Sequence, residues 1–462
     1  MTAGRGAESQ PSLKRDLGLW GAVSIVIGTV IGSGIFLVPK TMIGWTGSSL
    51  EVLVVWVVGG MLSMFGALTY AELAAAMPEA GGEYVYLREA YGPFWAFVYG
   101  WTQMWVAKSG SIATLATGFF YYLANFRPEL ERLVGTIPIP LGPGGGPLEV
   151  RAGQLLAIGV ILALAVVNCF GVKIGGGVQI AVTVVKVTLI GAVIVIGLGC
   201  GLGSTANFHS SVAATGGMAG FFGALVAALW AYDGWNNVSM VSSEIKDPRK
   251  NLPRALILGT LAVVIVYLLT NLAYFYVLRA ADVAASDRVA AEMMRRILGR
   301  GGAAAVSIAA MISIFAALNG SILSGSRVPY AMAADGYFFR AVARVHPVHR
   351  TPSVSILAMS AWAAVLVLSG RFEQLFTYVI FASWILYGMA TASVLVLRRK
   401  RPELVRPYRT LGYPVVPVLF VVAAACILVS TLRNSPRESL LGLGIIAAGA
   451  PFYFHWKRRN SL

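Results

Sequence analysis

The sequence predicts an all-α polytopic membrane protein of about twelve transmembrane helices. Of its 462 residues, 57% are hydrophobic and only 12% are charged, and the apolar residues form long blocks instead of alternating with polar ones. A block of about 18 or more apolar residues is long enough to cross the hydrocarbon core as a helix. Backbone polar groups in lipid must be satisfied within helices or closed barrels, and the absence of strict alternation favours helices.

Twelve apolar segments follow one another along the whole chain. The first has no small-residue cleavage site, so it is predicted to be a retained helix and not a signal peptide. The connections between the segments are too short to hold a soluble domain. The predicted segments are 17–43, 49–77, 91–125, 152–171, 178–201, 218–244, 253–278, 302–334, 353–369, 372–397, 414–432 and 438–456.

The net charge of +16 raises the question of nucleic acid, but membrane orientation explains it better. With the N-terminus inside, the inner segments hold 21 Lys and Arg residues and the outer segments hold 12. This bias follows the positive-inside rule and predicts a multi-pass protein of the cell (inner or plasma) membrane with both termini cytoplasmic. The densest basic run, 398–401, lies at a helix exit. Membrane lipid is therefore the expected partner there, and nucleic acid is not.

The sequence contains no pattern typical of a metal, cofactor or catalytic site. Cys169, Cys200 and Cys426 lie in or at the ends of apolar segments without paired spacing, which indicates small core residues. The histidines of 346–349 have no adjacent acid, and the glycine-rich run 140–147 lacks the lysine and helix of a phosphate loop. We expect no metal, no cofactor and no enzymatic activity, and we interpret 140–147 as an outer-loop turn.

The first segment contains a predicted helix break. Gly32 and Gly34 flank Ser33 at mid-membrane depth, where they weaken a continuous helix. Gly28 and Gly32 also have the small-xxx-small spacing of a close-packing helix face, which remains an alternative for those two residues. Close packing does not explain Gly34.

The sixth segment contains a matching interruption. An acid, a glycine and two asparagines lie within 230–237, in the middle of an otherwise apolar span. A charged side chain such as Asp233 costs about 3 kcal/mol or more at the bilayer centre, so it is expected to face protein or a watery cavity.

The two interruptions occupy corresponding places, in the first helix of each successive block of five. Such a pair indicates a transporter built from inverted repeats. The first block has an odd number of helices, so the second begins from the opposite face. The predicted division is a cytoplasmic tail (1–16), repeat 1 (17–201), inverted repeat 2 (218–397), helices eleven and twelve (414–456) and a second tail (457–462).

Helix breaks of this kind present backbone groups to a ligand. Unwinding at 32–34 frees N–H groups at the start of a half-helix, and its positive dipole end suits a carboxylate. A half-helix that ends near Ala231 leaves carbonyl groups without partners, which suit an ammonium group. A site formed by a helix start and a helix end is complementary to the carboxylate and the ammonium group of an amino acid, so an amino-acid carrier is predicted.

The residues at both breaks resemble a known family. Gly32–Phe36 with Pro39 resembles the helix-1 signature of the amino acid–polyamine–organocation superfamily. Ala231–Asn236 resembles the helix-6 signature of its L-type amino-acid transporter branch. Further matches, in the family's order, are Glu244, 251–253, 78–82 with Tyr84, 327–333, 407–409 and 412–414, so that the resemblance covers roughly residues 15 to 430.

The resemblance implies a five-plus-five inverted-repeat core that works by alternating access. It also implies that the substrate backbone binds on helices 1 and 6, and that Trp230 occupies the place of an aromatic gate. An ordinary packing aromatic is the alternative for Trp230. The candidate substrate-binding residues are Val30, Ile31, Gly32, Ser33, Gly34, Trp230, Ala231 and Asp233.

Two lysines and several inner charges lie within or beside the predicted helices. Lys186 is mid-span in the fifth segment, and the resemblance implies that it takes the place of a sodium ion bound by sodium-driven cousins. A fixed structural cation, a proton-coupling site and a lipid-facing side chain without a role all remain open for it. Lys108 is expected to extend outward to the interface. For Glu72, Glu244, Arg327 and Asp335, an inner gate network and solvated helix ends are both open interpretations.

The sequence therefore predicts a secondary active transporter of neutral L-amino acids that works by exchange (antiport) or by symport with protons. Asp233 supports a carrier of cationic amino acids or polyamines as the alternative, and for its carboxylate a proton-carrying role and a cap of the unwound segment are also open. A channel would need repeated pore-lining rings, and an intramembrane enzyme would need a catalytic pair, whereas Asp233 is the one mid-span acid. The eukaryotic L-type branch has a subunit-linking cysteine between helices 3 and 4, and 126–151 contain none. We therefore expect a prokaryotic relative without a disulfide-linked subunit.

Overall fold

The computed structural model describes residues 13–124, 126–138, 147–368, 372–434 and 436–460, with the backbone alone at 172, 372–380, 434, 437–438, 441 and 460. The glycine-rich run 140–147 thus lies almost wholly outside the described residues. The first half of the chain forms α1 (Leu19–Val30), α2 (Gly34–Thr46), α3 (Ser49–Ala76), α4 (Glu83–Tyr91), α5 (Pro93–Thr102), α6 (Lys108–Leu123), α7 (Ala152–Cys169) and α8 (Val172–Gly199). A π-helical turn, Gln103–Ala107, joins α5 to α6.

The second half of the chain continues the helical pattern. Its helices are α9 (Gly217–Tyr232), α10 (Asn237–Met240), α11 (Pro248–Val277), α12 (Ala280–Ala284), α13 (Val289–Gly325), α14 (Arg327–Ala334), α15 (Ser353–Leu368), α16 (Phe372–Lys400), α17 (Val415–Asn434) and α18 (Pro436–Asn460).

The predicted membrane-spanning segments all correspond to helices of this fold. Within the described ranges, eight helices are long and apolar enough to cross a membrane, and α9 and α15 are shorter apolar helices. The α5–α6 stretch and α18 occupy the third and twelfth predicted segments. The all-α polytopic class is confirmed.

Both predicted helix breaks are present. Residues 31–33 separate α1 from α2, and Ile31 leaves the helical region with a ψ of 87°. Residues 233–236 separate α9 from α10, where Gly234 has a φ of +112°. Glycine is the residue that adopts such a conformation without steric cost, which explains why the sixth segment breaks at this position.

The first segment lies at the centre of the bundle. Its outer neighbours are α8, α11 and α13, which pack on α1, and α9, which packs on α2. In the most apolar part of Leu19–Thr46, 89% of the residues are buried, against 28% in Val415–Arg433. The broken helices are therefore surrounded by protein, whereas α17 lies at the periphery.

Two features differ from the predicted outline. The connection 126–151 contains an antiparallel pair of short strands, β1 (Leu133–Ile137) and β2 (Leu148–Arg151). The helix α13 begins at Val289, inside the connection predicted over 279–301, and bends at Gly299, whose φ is +66°. Residues 289–298 include good helix formers that are too polar for the hydrocarbon core, so hydropathy alone missed them.

Both ends of the described chain lie on one side of the bundle, which we call the terminal face. The backbone N–H of Leu17 donates to the carbonyl oxygen of Glu244 at 3.0 Å. Trp456, near the end of α18, contacts Phe338, which follows α14. The terminal face therefore brings together the start of α1, the segment after α10, the segment after α14 and the end of α18.

Candidate substrate site at the two helix breaks

The two breaks touch each other in the middle of the protein. Thr29 Oγ1 lies 3.0 Å from the carbonyl oxygen of Gly234, which joins the end of α1 to the second break. A Cβ atom added at Gly34 would lie 2.6 Å from the Cα of Ala231. Such a distance is too short for any side chain, so glycine at position 34 allows this close approach. We expected close packing not to explain Gly34, and this was wrong, because Ala231 approaches the glycine too closely for a side chain.

Tyr267 of α11 connects the two breaks. Its hydroxyl oxygen lies 2.9 Å from the carbonyl oxygen of Val30 and 2.9 Å from that of Ala231. The hydroxyl has one proton and can donate to one of these carbonyls at a time. Tyr267 is fully buried, so this shared contact is shielded from water.

The carbonyl groups at the end of α9 have more partners than the sequence predicted. Ala231 accepts from Tyr267, and the carbonyl oxygen of Trp230 accepts from the backbone N–H of Asp233 at 3.1 Å. The expectation that these carbonyls lack partners is therefore wrong, because the chain folds back at Asp233 and α11 packs against the break. Each carbonyl oxygen has two lone pairs and can still accept one further hydrogen bond.

Lys186 of α8 closes the end of α1. Its ammonium donates to the carbonyl oxygen of Gly28 at 2.7 Å and to that of Ile31 at 2.5 Å. Ser313 of α13 donates to the same Ile31 oxygen at 2.9 Å. Lys186 is fully buried. A side-chain cation thus lies where the unwound backbone concentrates negative charge, as a metal ion would.

Asp233 caps the end of α9. Its carboxylate accepts a hydrogen bond from the Tyr387 hydroxyl at 2.8 Å, and it attracts the charge of Lys108. Asp233 is partly exposed, unlike its neighbours at the break. It is therefore the charged group of the break that a ligand can reach most directly.

The predicted outward position of Lys108 is wrong. Lys108 is 3% exposed, and its ammonium donates to Asn237 Oδ1 at 2.6 Å. The helix that bears it packs against α13, α15 and α16 inside the bundle, so no route to the interface exists along its side chain. Asn237, at the start of α10, supplies the polar partner instead.

The other candidate residues surround the breaks and are closed off from solvent. Trp230 is 8% exposed at the last turn of α9, and Ser33, at the N-cap of α2, is 2% exposed. Val30, Ile31, Gly32, Gly34 and Ala231 are buried as well, so Asp233 is the one partly exposed member of the candidate set. The structure thus shows this region in a closed form.

A buried ion pair closes the terminal face below the breaks. Arg327 of α14 donates to Glu244 through Nε at 2.7 Å and through Nη2 at 2.9 Å. Their side chains are 1% and 0% exposed. These two side chains are therefore not solvated at helix ends, and they form an ion pair that is shielded from water.

The remaining inner charges form two separate contacts. Asp335 accepts from Arg88 at 2.8 Å and from Tyr84 at 3.0 Å, which ties the end of α14 to α4. Glu72 of α3 accepts from Arg398 of α16 at 2.7 Å. The four residues singled out from the sequence thus belong to three contacts and not to one network.

Several residues of the site were not found from the sequence. Tyr267, Ser313 and Tyr387 are ordinary members of apolar helices, and nothing in their local sequence marks them. Glu83 is different, because it is an acidic residue that lies buried at the second break. Its carboxylate accepts hydrogen bonds from Asn236 and Ser239. Glu83 directly follows Gly81 and Gly82, and an acid beside two glycines at a helix start could have marked it as a candidate.

Two apposed helix breaks at the centre of a multi-pass helical bundle define a secondary transporter. Comparison with known proteins gives the family. The model of the amino acid permease family matches residues 17–442. The chain belongs to this family, which confirms the superfamily and the branch that the sequence resembled. It is an amino-acid transporter and not an enzyme.

The chain is similar over almost its full length to several transporters. It is 33% identical to the serine/threonine exchanger SteT of Bacillus subtilis, covering 97% of this chain and 98% of that protein. It is 32% identical to the human b(0,+)-type amino acid transporter 1, covering 96% and 89%. It is 30% identical to the human cystine/glutamate transporter, covering 97% and 86%.

Proposed function

We propose that this transporter exchanges neutral L-amino acids by alternating access and binds their backbone groups between the two helix breaks. The single observation that supports this most directly is the apposition of the breaks, joined through Tyr267 and the Thr29–Gly234 contact. A helix start and a helix end then lie beside each other, which gives one small region both anion-binding and cation-binding character.

The α-carboxylate is assigned to the start of α2. The first N–H groups of a helix have no partner in a preceding turn, so those near Ser33 and Gly34 are available to a carboxylate. The α-amine is assigned to the end of α9, where Trp230 and Ala231 carbonyls keep one lone pair each and Asp233 is partly exposed. Trp230 is the residue that would close over the bound substrate.

Exchange is favoured over proton symport by the geometry of Lys186. A charge-assisted hydrogen bond is about twice as strong as a neutral one, and Lys186 makes two to backbone carbonyls. Loss of its proton would weaken both bonds and loosen the break on which the substrate site depends. The Bacillus subtilis relative is a serine/threonine exchanger, which agrees with exchange of small neutral substrates.

A carrier of cationic amino acids is the second candidate, supported by Asp233. Its carboxylate lies at the break and remains partly exposed, so it can pair with a positive side chain. The charge of Lys108 offsets part of its attraction, which is why neutral substrates are preferred in our proposal.

Two further assignments complete the proposal. Because the basic residues are concentrated at the terminal face, we place that face and both termini in the cytoplasm of a bacterial-type inner membrane. Because 126–151 lack a cysteine, we propose that the transporter works without a disulfide-linked subunit.

The test uses the purified protein in vesicles that are preloaded with serine, preloaded with arginine, or empty. Radiolabelled neutral and cationic amino acids are offered with and without an inward proton gradient. Exchange of neutral substrates predicts uptake that requires internal neutral amino acid and is unchanged by the gradient. Uptake into empty vesicles that rises with the gradient would show proton symport instead. Uptake restricted to arginine or a polyamine would establish the second candidate.

A further inference from the structure

An aromatic groove lies at the terminal face, and none of the candidate substrate-binding residues lines it. Its walls come from α5 and the π-helical turn that follows it, from the segment after α14 and from the end of α18, and its volume is about 740 Å³. This volume is within the range of sites that hold small organic molecules. The aromatic residues that line it are Trp101, Trp105, Phe338, Phe339, Phe452 and Trp456.

The groove has a rigid floor and an open side. Trp101 stacks on Phe452 with ring centroids 4.7 Å apart, and its indole N–H donates to the carbonyl oxygen of Ile445 at 3.1 Å. Trp101 and Trp456 are 8% and 7% exposed, whereas Phe339 and Phe452 are 61% and 47% exposed. A ligand can therefore enter past the two phenylalanines and rest on the buried tryptophans.

One rim of the groove is positively charged. Arg459 and His455 line the groove, and Arg340 is exposed directly after Phe339. The last turn of α18 contains Lys457, Arg458 and Arg459. Within the described part of the chain, neither Arg340 nor Arg459 forms a salt bridge with an acidic residue. A negative group at the mouth of the groove would therefore meet two arginines that no carboxylate of the described residues neutralises.

We propose that the groove binds one anionic phospholipid of the leaflet at the terminal face, with an acyl chain on the aromatic floor and the phosphate between Arg459 and Arg340. Charge complementarity selects this occupant. An apolar groove alone would accept any acyl chain, but the cationic rim favours a headgroup with a net negative charge. The depth also fits, because aromatic rings and the last basic turn of a helix are typical of the membrane–water interface.

The site has a direct structural link to the closed terminal face. Phe338 and Phe339 lie three and four residues after Asp335, which binds Arg88 and Tyr84. Tyr337, in the same stretch, stacks on Tyr453 of α18 with centroids 5.4 Å apart. A lipid held against Phe338 and Phe339 thus supports the segment that keeps Asp335 in place.

Native mass spectrometry of the delipidated protein tests the proposal. The full chain in detergent is titrated with phosphatidylglycerol or phosphatidylcholine of identical acyl chains. We expect one phosphatidylglycerol to be retained with at least about tenfold higher affinity than phosphatidylcholine, a difference of about 1.4 kcal/mol. The combined change Arg340→Ala and Arg459→Ala should remove this preference, and Phe452→Ala should weaken the binding of both lipids.

Matched control variants separate this site from general lipid contact. Arg399→Ala removes an exposed cation at the end of α16, and Phe170→Ala removes an exposed aromatic ring after α7, so both should leave the retained lipid unchanged. Equal retention of the two lipids by the unaltered protein would overturn the proposal. A protein dimer that forms without lipid and dissociates in Phe452→Ala would also overturn it, since a second copy would then cover the groove.

Discussion

At the scale of single residues, Lys186 is the side chain on which the first break most depends. Its ammonium and the Ser313 hydroxyl satisfy carbonyls that the end of α1 leaves open. A buried acceptor that loses its donor costs about 1–3 kcal/mol, and Lys186 serves two of them. The lysine therefore stabilises the break at the same time as it places positive charge there.

Lys186→Ala should abolish exchange and lower the thermal unfolding midpoint of the purified protein, because the Gly28 carbonyl loses its side-chain donor and the Ile31 carbonyl keeps only Ser313. Radiolabelled exchange and fluorescence-detected unfolding measure the two effects. Lys173→Ala, at the terminal-face end of the same helix, serves as the control and should change neither. If Lys186→Ala retained exchange but lost a dependence on pH, the lysine would be a proton site and not a fixed cation.

Ser33 tests the carboxylate assignment. Ser33→Leu should abolish uptake at normal expression, because a leucine side chain at the N-cap of α2 would fill the space assigned to the carboxylate. Ser33→Ala keeps the backbone N–H groups and should reduce uptake by no more than a few fold. Uptake that survives in Ser33→Leu would contradict the assignment of the carboxylate to the start of α2.

At the scale of helices and their contacts, a buried ion pair holds the terminal face closed, and we propose that it separates when the site opens toward that side. The Glu244–Arg327 pair joins α14 to the segment after α10 and is almost completely buried. Removing one partner of a buried ion pair leaves an uncompensated charge and typically costs about 3–5 kcal/mol. Replacing both partners with apolar residues is much less costly.

Glu244→Leu and Arg327→Met should each reduce stability strongly, and the double variant should recover most of the loss. Thermal unfolding of the three variants and the unaltered protein forms a complete double-mutant cycle. Exchange should remain impaired in the double variant, because an apolar contact does not alternate between paired and hydrated forms. Full exchange by a stable double variant would show that the pair is not part of the gating motion.

At the scale of the whole molecule, the two faces are held closed by contacts of different kinds. On the face opposite the terminal face, Lys40 of α2 pairs with Asp287, and both side chains are well exposed. Exposed ion pairs contribute about 0–1 kcal/mol and weaken in salt, whereas the Glu244–Arg327 pair is protected from both water and salt. The buried Glu244–Arg327 pair therefore contributes more to the closure of its face than the exposed Lys40–Asp287 pair contributes to the other.

Lys40→Ala should consequently change the unfolding free energy by about 1 kcal/mol or less, and the difference should vanish in high salt. The measurement is thermal unfolding at low and high ionic strength. Lys14→Ala is a suitable control, since Lys14 is exposed and pairs with its neighbour Asp16 on the terminal side. A large, salt-independent loss in Lys40→Ala would show that this face is held as firmly as the other.

The sequence was informative where a structural feature has a local cause. Glycines and polar residues at 31–34 and 233–237 mark both breaks, and the structure places the breaks there. Contacts between distant residues had no such signal. Tyr267 is 237 residues from Val30, and nothing near it in the chain indicates their contact. Lys108 was misplaced because its depth was judged along one helix, without the neighbouring helices that bury it.

The position of Lys186 has a consequence for how the transporter converts energy. A bound sodium ion dissociates in each cycle, so its gradient performs work, but an ammonium attached to the polypeptide returns with the carrier. The presence of this ammonium in the site does not depend on the ion concentration on either side of the membrane. As a fixed cation, Lys186 would therefore not couple transport to an ion gradient at this position. By exchange alone, the protein would then change which amino acids are present on each side of the membrane and leave the total number on each side unchanged.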